Sequence, residues 1–259
     1  MTGSPEGSRN LLLVVAYDGT DFSGWQRLGG GARTVQKTLE EALSNVLRER
    51  INVVGSGRTD AGVHADGQAA NFWTSSELAP AEMMRRLDAA LPPDIACLSM
   101  RPAVPTFHAR YRAVSKTYAY RFHDGPRPDP FERRWSLHVG ERLDEAAMAA
   151  AAATLPGERD FSALSNAKED SRAFVRKLLS ATVERRGSIV EVGFTADGFL
   201  YNQARIMAAC LLEAGLGRMD ASRLGRIVEA RDRSAAAGAL GAFGLRLVKV
   251  EYRAEDFLG

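Results

Sequence analysis

The stretch Gly57-Arg58-Thr59-Asp60-Ala61-Gly62-Val63-His64 is the most informative part of the chain. A short apolar run, residues 51–54, comes before it, and a strand-like run, residues 68–73, follows it. The pattern therefore predicts a loop at the end of a strand, with Asp60 on the loop and the cation Arg58 two residues away. Charged loops on rigid strands are frequent positions for catalytic groups. The alternative is a tight Asp-Ala-Gly turn in which Asp60 bonds its own backbone.

Two sharper motif interpretations of this stretch fail. Gly55-Ser56-Gly57 is similar to a dinucleotide-binding loop, but Asp60 stands where that motif needs its third glycine, and a strand follows instead of a helix. Asp60, His64 and Asp66 are conceivable metal ligands, but their spacing matches no zinc or calcium motif. The chain has only four histidines to draw on, so no metal site is predicted.

The composition is that of an ordinary globular protein. In 259 residues, 25% are charged and 45% are hydrophobic, and no apolar run is long enough to span a membrane. Residues 1–10 lack the apolar core of a signal peptide and are predicted to be a disordered tail. Cys97 and Cys210 lie in apolar surroundings and form no metal-like pair, so they are expected to be buried, reduced thiols of a cytoplasmic protein.

The charge of the chain is small overall but uneven. The net charge is +2, whereas residues 101–134 contain eight Arg and Lys against three acids. Tyr111, Tyr118, Tyr120 and Phe122 alternate with these cations, a mixture that suits a surface for RNA phosphates and stacked bases. The alternative is a solvated basic strand whose aromatic side chains pack inward.

The N-terminal half has the pattern β-α-β-β-α-β. Strands are predicted at 11–17, 51–56, 68–73 and 94–100, and helices at 34–50, with Thr34 as N-cap, and at 80–91. This order matches a ferredoxin-like unit. The predicted domain spans residues 11–104 and carries the Asp60 loop.

The C-terminal half repeats this order more loosely as a predicted second domain, residues 105–259. Strands are predicted at 114–122, 179–185, 189–194 and 245–252, and helices at 143–155, 199–214 (ended by Gly215) and 221–229. Residues 124–130 and 165–172 are predicted loops. The predicted fold class is therefore α+β: two ferredoxin-like halves form a mostly antiparallel sheet flanked by helices, with a central active-site cleft.

Arg205 is the site residue that follows most directly from the pattern. It lies in a predicted helix whose neighbours, Ala204 and residues 206–212, are all apolar, so the helix is expected to be buried nearly all round. A buried guanidinium needs an anionic partner. The partner is expected to be a carboxylate elsewhere in the chain. If the side chain instead extends to solvent, no partner is needed.

Several sequence blocks together resemble one family, tRNA pseudouridine synthase A. The first block is Gly57 to His64, and the resemblance runs from Leu11 to Tyr252. The other blocks, in order, are Tyr17-Asp18-Gly19-Thr20, Gly24-Trp25-Gln26-Arg27, Thr34-Val35-Gln36, Phe107-His108-Ala109-Arg110, Lys116-Thr117-Tyr118-Ala119-Tyr120-Arg121, Ala204-Arg205 and Gly244-Leu245-Arg246-Leu247-Val248-Lys249-Val250-Glu251-Tyr252.

The resemblance implies roles for five residues. Asp60 matches the family's catalytic aspartate, and Arg205 the arginine that pairs with it. Tyr118 matches the active-site tyrosine, which would stack on the uracil and help move the C5 proton. Leu245 matches the apolar residue that packs on the base, and Arg58 the residue that helps hold the flipped nucleotide.

The resemblance also implies the reaction and the partner. Uridine becomes pseudouridine in the anticodon stem-loop of tRNA, at positions 38 to 40, without a cofactor, in an enzyme that acts as a cytoplasmic homodimer. Arg110 and Lys116 are the candidates for phosphate contacts. The sequence departs from the family at Gln203-Ala204, where Met-Val is common, at Ala209, where glycine is usual, and at Gly241-Ala242-Phe243, where prolines are usual. These changes leave Asp60, Tyr118 and Arg205 in place but put the packing around Arg205 in question.

Two other functions remain open at this point. A non-catalytic RNA-binding protein with two ferredoxin-like halves would use the same basic segment, but it gives no reason for Arg205 or the Asp60 loop. A hydrolase that uses Asp60 with Asp66 or Asp18 would need two carboxylates at a set separation, and nothing in the sequence fixes one.

Overall fold

The computed structural model describes residues 7–167 and 174–258. The chain divides into two compact units: unit 1 is Met1–Val114 with Leu247–Gly259, and unit 2 is Ser115–Arg246. The predicted second domain, 105–259, does not coincide with unit 2, because residues 105–114 and 247–259 group with unit 1. Within the described residues, no helix is long and apolar enough to cross a membrane.

Unit 1 is built on a small antiparallel sheet. Strand β1 pairs antiparallel with β3 and β4, and the short β2 pairs antiparallel with β3. Helix α2 packs against β4 and α1. The elements are β1 (Arg9–Tyr17), α1 (Val35–Leu47), β2 (Val54–Gly55), β3 (His64–Thr74), α2 (Pro80–Ala90) and β4 (Ile95–Ala103).

Local sequence accounts for most of these elements. Thr34 caps α1 by accepting a hydrogen bond from Lys37 N, and Val35, Leu39 and Leu43 form its buried stripe. The helix ends before the predicted residue 50 because Arg48 adopts a left-handed conformation, with φ 56°. The predicted strand 51–56 is reduced to two paired residues.

The strands of unit 2 are mostly antiparallel. Their order is β5-β9-β8-β7, with β6 parallel to β5. Helix α3 packs on β8, α4 and α5, and α4 also packs on β5. The elements are β5 (Ser115–His123), β6 (Leu137–His138), α3 (Glu145–Ala152), β7 (Gly157–Asp160), β8 (Val175–Arg186), β9 (Ile189–Ala196), α4 (Gln203–Gly215), α5 (Ala221–Ala230) and β10 (Leu245–Glu251), which begins in unit 2 and ends in unit 1. The predicted α+β class with mostly antiparallel strand pairing is thereby confirmed.

The predicted helix 199–214 is wrong at its N-terminal end. Helix α4 begins only at Gln203, because Asn202 has a φ of 60° and interrupts the helical backbone. Gly215 ends the helix, as predicted, although it is itself helical. A Cβ at Gly215 would lie 2.8 Å from Met148 Sδ, so close packing explains this glycine. The predicted loop 124–130 is confirmed, whereas residues 168–172 of the predicted loop 165–172 lie outside the described residues.

Candidate active site

The Asp60 loop (residues 56–63) is a short turn tied to β3. The Ser56 hydroxyl donates to Gln68 Oε1 at 2.6 Å, and Gln68 Nε2 donates to the carbonyl of Gly57 at 3.2 Å. Val63 N donates to the carbonyl of Asp60 at 3.1 Å. This bond closes a tight backbone turn, which holds the half-buried Asp60 on a constrained segment.

Residues near the N-terminus hold the other side of the loop. The hydroxyls of Tyr17 and Thr59 share a hydrogen bond of 2.8 Å. Trp25 N donates to the carbonyl of Thr59 at 3.0 Å, and Gly62 N donates to the carbonyl of Phe22 at 3.3 Å. Burial raises the pKa of Tyr17 to about 12, so its hydroxyl remains protonated and available for this bond near neutral pH.

Two glycines allow the N-terminal segments to approach the loop this closely. A Cβ on Gly24 would lie 2.8 Å from the Thr59 carbonyl oxygen, and the φ of Gly24 is +91°. A Cβ on Gly19 would lie 2.0 Å from the Val63 carbonyl oxygen, while Gly19 N donates to His64 Nδ1 at 3.0 Å. Neither position accepts a side chain without moving the backbone.

Gln36 connects the start of α1 to the same assembly. Its backbone N donates to the Trp25 carbonyl at 3.0 Å, its Oε1 accepts from Arg27 N at 2.8 Å, and its Nε2 donates to the Val53 carbonyl at 2.9 Å. The blocks at 17–20, 24–27 and 34–36 thus act as the support of the Asp60 loop. Sequence reasoning gave these blocks no role, although their shared order with the Asp60 motif was a signal.

Tyr118 and Leu245 are both buried in unit 2. Tyr118 lies on β5, directly across from Phe194 on β9, and is 8% exposed. The rings of Tyr118 and Phe199 pack edge to face, with their centroids 4.9 Å apart. Leu245 is the first residue of β10, and Lys116 is half-buried near the start of β5.

Arg205 is the third residue of α4 and is half-buried. Its Nε donates to the Leu240 carbonyl at 2.6 Å, and the Tyr120 hydroxyl donates to the Gly241 carbonyl at 3.0 Å. Burial raises the pKa of Tyr120, and the charge of Arg205 opposes this rise. Arg205 and Tyr120 therefore position the segment that leads into Leu245.

The expectation of a helix buried nearly all round is confirmed for most of α4, but not for Arg205 itself. Because Arg205 is only half-buried, burial alone does not demand a carboxylate partner. Asp60 lies in unit 1 and Arg205 in unit 2, and their pairing stays a prediction.

Arg110 is an exposed cation on a firmly anchored segment of unit 1. The neighbouring Ala109 N donates to Asn71 Oδ1 at 2.8 Å, and the Tyr252 hydroxyl donates to the Ala109 carbonyl at 2.7 Å. The Arg110 guanidinium lies 5.8 Å from the ring centroid of Tyr111. Arg58 is likewise exposed, on the Asp60 loop.

Residues 101–134, the basic segment, support partly the RNA-binding surface and partly the inward-packed strand. Tyr118, Tyr120 and Phe122 are buried, as the alternative of an inward-packed strand predicts, whereas Tyr111 is 76% exposed. Arg112 and Arg121 form ion pairs with Asp256 and Glu191, at 2.9 and 2.8 Å. These two arginines therefore have structural partners.

Both cysteines are buried and free, in agreement with the sequence analysis. Within residues 7–167 and 174–258, no group of three or more His, Cys, Asp or Glu side chains is placed to hold a metal ion.

Comparison with known proteins identifies the relatives of the chain. A family model described as tRNA pseudouridine synthase matches residues 13–112 and 151–253. A tRNA pseudouridine synthase A from Bacillus sp. strain KSM-64 is 39% identical over 243 residues, which cover 94% of this chain and 99% of that protein. The tRNA pseudouridine synthase A of Acetivibrio thermocellus is 38% identical over 244 residues, covering 94% and 100%. A protein from Bacillus cereus named tRNA pseudouridine synthase A 2 is 37% identical over 243 residues, covering 94% and 99%.

Proposed function

Because the chain belongs to the tRNA pseudouridine synthase family, we propose that it converts uridine to pseudouridine in the anticodon stem-loop of tRNA, at positions 38 to 40, with Asp60 as the nucleophile. The protein is an isomerase that acts on tRNA. The proposal adds the location of the target and the identity of the reacting group.

The observation that carries the assignment is the support around Asp60. The residue directly before it, Thr59, is bonded through its side chain to Tyr17 and through its carbonyl to Trp25. Catalytic groups must be held close to their productive geometry by neighbours that are themselves fixed. Hydrogen bonds with Gln68 on β3 and with Tyr17, Trp25 and Phe22 fix this loop far more firmly than an ordinary surface turn requires.

The chemistry needs few groups from the protein. The N1–C1′ glycosidic bond breaks, the uracil turns in place, and a C5–C1′ bond forms, so neither oxidant, reductant nor water is consumed and no cofactor is required. The target nucleotide must leave its stack, and Arg58 would stabilise the flipped-out nucleotide. Asp60 must be ionised to act as a nucleophile, and pairing with Arg205 would favour that state.

Tyr118 and Leu245 are proposed to hold the uracil, with the Tyr118 hydroxyl aiding transfer of the C5 proton. Arg110 and Lys116 are proposed to contact phosphates. We further propose that the chain consists of two ferredoxin-like halves and that the enzyme acts as a cytoplasmic homodimer. A dimer fits the small net charge of +2, because two subunits offer more cationic surface to one tRNA.

The experiment is tritium release from tRNA transcripts labelled at C5 of uridine. We expect release with the parent protein and none with Asp60→Asn, while Asp66→Asn is the matched control and retains activity. A transcript with cytidine at positions 38 to 40 tests the location, and we expect it to release no tritium. Binding without release would instead identify a non-catalytic RNA-binding protein, and loss in Asp66→Asn would favour a two-carboxylate mechanism.

A further inference from the structure

The segment between β5 and β6 presents exposed aromatic and cationic side chains. Phe131 is 86% exposed and Trp135 is 38% exposed, and Arg127 and Arg133 are exposed beside them. We name residues 126–135 the PF-loop surface, after Pro130 and Phe131. It lies outside residues 13–112 and 151–253, so the family match assigns it no role.

Two cations of this surface, Arg127 and Arg133, have few ties to the fold. Arg133 Nη1 donates a long hydrogen bond, 3.4 Å, to the Pro130 carbonyl. Over the described part of the chain, neither Arg127 nor Arg133 forms an ion pair, in contrast to Arg112 and Arg121 in the same basic segment. Exposed arginines that have no carboxylate partner among the described residues can bind an anionic partner that also offers flat apolar faces.

The acidic residues of the surface are partly withdrawn from solvent. Asp129 is half-buried, and its Oδ1 accepts a hydrogen bond from Phe131 N at 2.8 Å. Glu132 is also half-buried, and its Oε2 is shielded from solvent without a hydrogen-bond partner in residues 7–167 and 174–258. The outward-facing charge is therefore positive.

The backbone that carries these side chains is preorganised. Trp135 N donates to the Glu132 carbonyl at 2.8 Å, and Glu132 N donates to the Asp129 carbonyl at 3.2 Å. Pro126, Pro128 and Pro130 restrict the preceding backbone. A preorganised surface loses less conformational entropy on binding than a flexible loop does.

We infer that the PF-loop surface is an auxiliary tRNA contact, in which Arg127 and Arg133 bind phosphates and Phe131 and Trp135 stack on unpaired bases. This combination of cations and aromatic faces is how proteins hold unpaired nucleic acid. The inference rests on the proposed function, since it takes tRNA as the partner.

The test compares two double variants with the parent on one unmodified tRNA transcript. Phe131→Ala with Trp135→Ala should weaken the Kd by at least about fivefold for each lost base stack. Arg127→Ala with Arg133→Ala should lower the slope of log Kd against log salt by about 1.5 to 2. Single-turnover pseudouridine formation at saturating tRNA should equal that of the parent for both, because neither change touches the groups proposed for catalysis.

Leu98→Ala and Arg85→Ala are the matched controls, since Leu98 is 51% exposed on β4 and Arg85 pairs with Glu82 on α2. Unchanged Kd and slope in both double variants, or equal losses in the controls, would overturn the inference. A change in molecular mass by light scattering without a change in Kd would identify a protein interface and overturn it too. Because tRNA binding is measured separately from tritium release, failure here leaves the proposed reaction standing, and absence of release by the parent leaves the binding comparison valid.

Discussion

The hydroxyls of Tyr17 and Thr59 lie 2.8 Å apart, and both residues are buried, with 4% and 6% of their surface exposed. This bond joins the end of the first strand to the residue directly before the proposed nucleophile. It makes the position of Asp60 depend on a residue far away in the sequence.

Tyr17→Phe should therefore lower both stability and turnover. Loss of a buried hydrogen bond lowers the free energy of unfolding by about 1 kcal/mol, and the unpaired Thr59 hydroxyl adds a further penalty. Thr59→Val removes the same bond from the other side. A double-mutant cycle by urea unfolding should give non-additive losses, and simple additivity would mean that the two hydroxyls act independently.

Asp60→Asn should abolish turnover while tRNA binding and folding survive. The substitution keeps the shape of the side chain but removes the charge that a nucleophile needs. Filter binding and single-turnover rates measure the two effects separately. Pseudouridine formation within tenfold of the parent rate would exclude Asp60 as the reacting group.

Arg205→Ala should reduce both turnover and stability. The side chain donates to the Leu240 carbonyl at 2.6 Å, and hydrogen bonds to charged groups contribute about 1.5–3 kcal/mol. Because Arg205 is half-buried, a loss near the lower end is expected. Arg205→Lys is the control that keeps the charge: if it restores turnover but not melting temperature, the charge serves catalysis and the guanidinium Nε serves the fold. A fully active Arg205→Ala variant would place the arginine outside the site.

Tyr118→Phe should fold and bind tRNA normally but turn over slowly. The ring keeps its packing against Phe199 at 4.9 Å, and only the hydroxyl proposed for C5 proton transfer is lost. Melting temperature, Kd and single-turnover rate are the measurements. An unchanged rate would limit Tyr118 to stacking.

Arg110→Ala and Lys116→Ala should each weaken tRNA binding and lower the salt dependence by about one phosphate contact. Arg110 is exposed on a segment held by Asn71 and Tyr252, so its removal leaves the fold intact. Affinities over a salt series decide the matter, with Arg85→Ala as control. Slopes equal to those of the parent and the control would mean that these side chains face away from RNA.

The sequence predicted elements whose signals are local. Helix α1 follows from a cap at Thr34 and an apolar stripe. The strands predicted at 179–185 and 189–194 are likewise present as β8 and β9, and Gly187, with a φ of +65°, lies in the turn between them. The start of α4 was mispredicted because the apolar pattern continues through Asn202, whose left-handed backbone interrupts the helix.

The motif around Asp60 likewise identified the loop, but not its support. Tyr17 and Thr59 are 42 residues apart, and no periodicity or spacing indicates a bond over that distance. The same limit applies to Arg205, whose contact with the Leu240 carbonyl depends on how the chain returns after α5.

The close approaches of Gly19 and Gly24 to the Asp60 loop have a consequence for genetics. An alanine at either site would place its methyl carbon within 2.0 or 2.8 Å of a carbonyl oxygen of the loop, so the loop must shift. A screen for inactive alleles would then recover these two positions alongside Asp60, although neither glycine has a group that reacts. Positions that tolerate no substitution in this enzyme would therefore include the residues that support the loop as well as those that take part in the reaction.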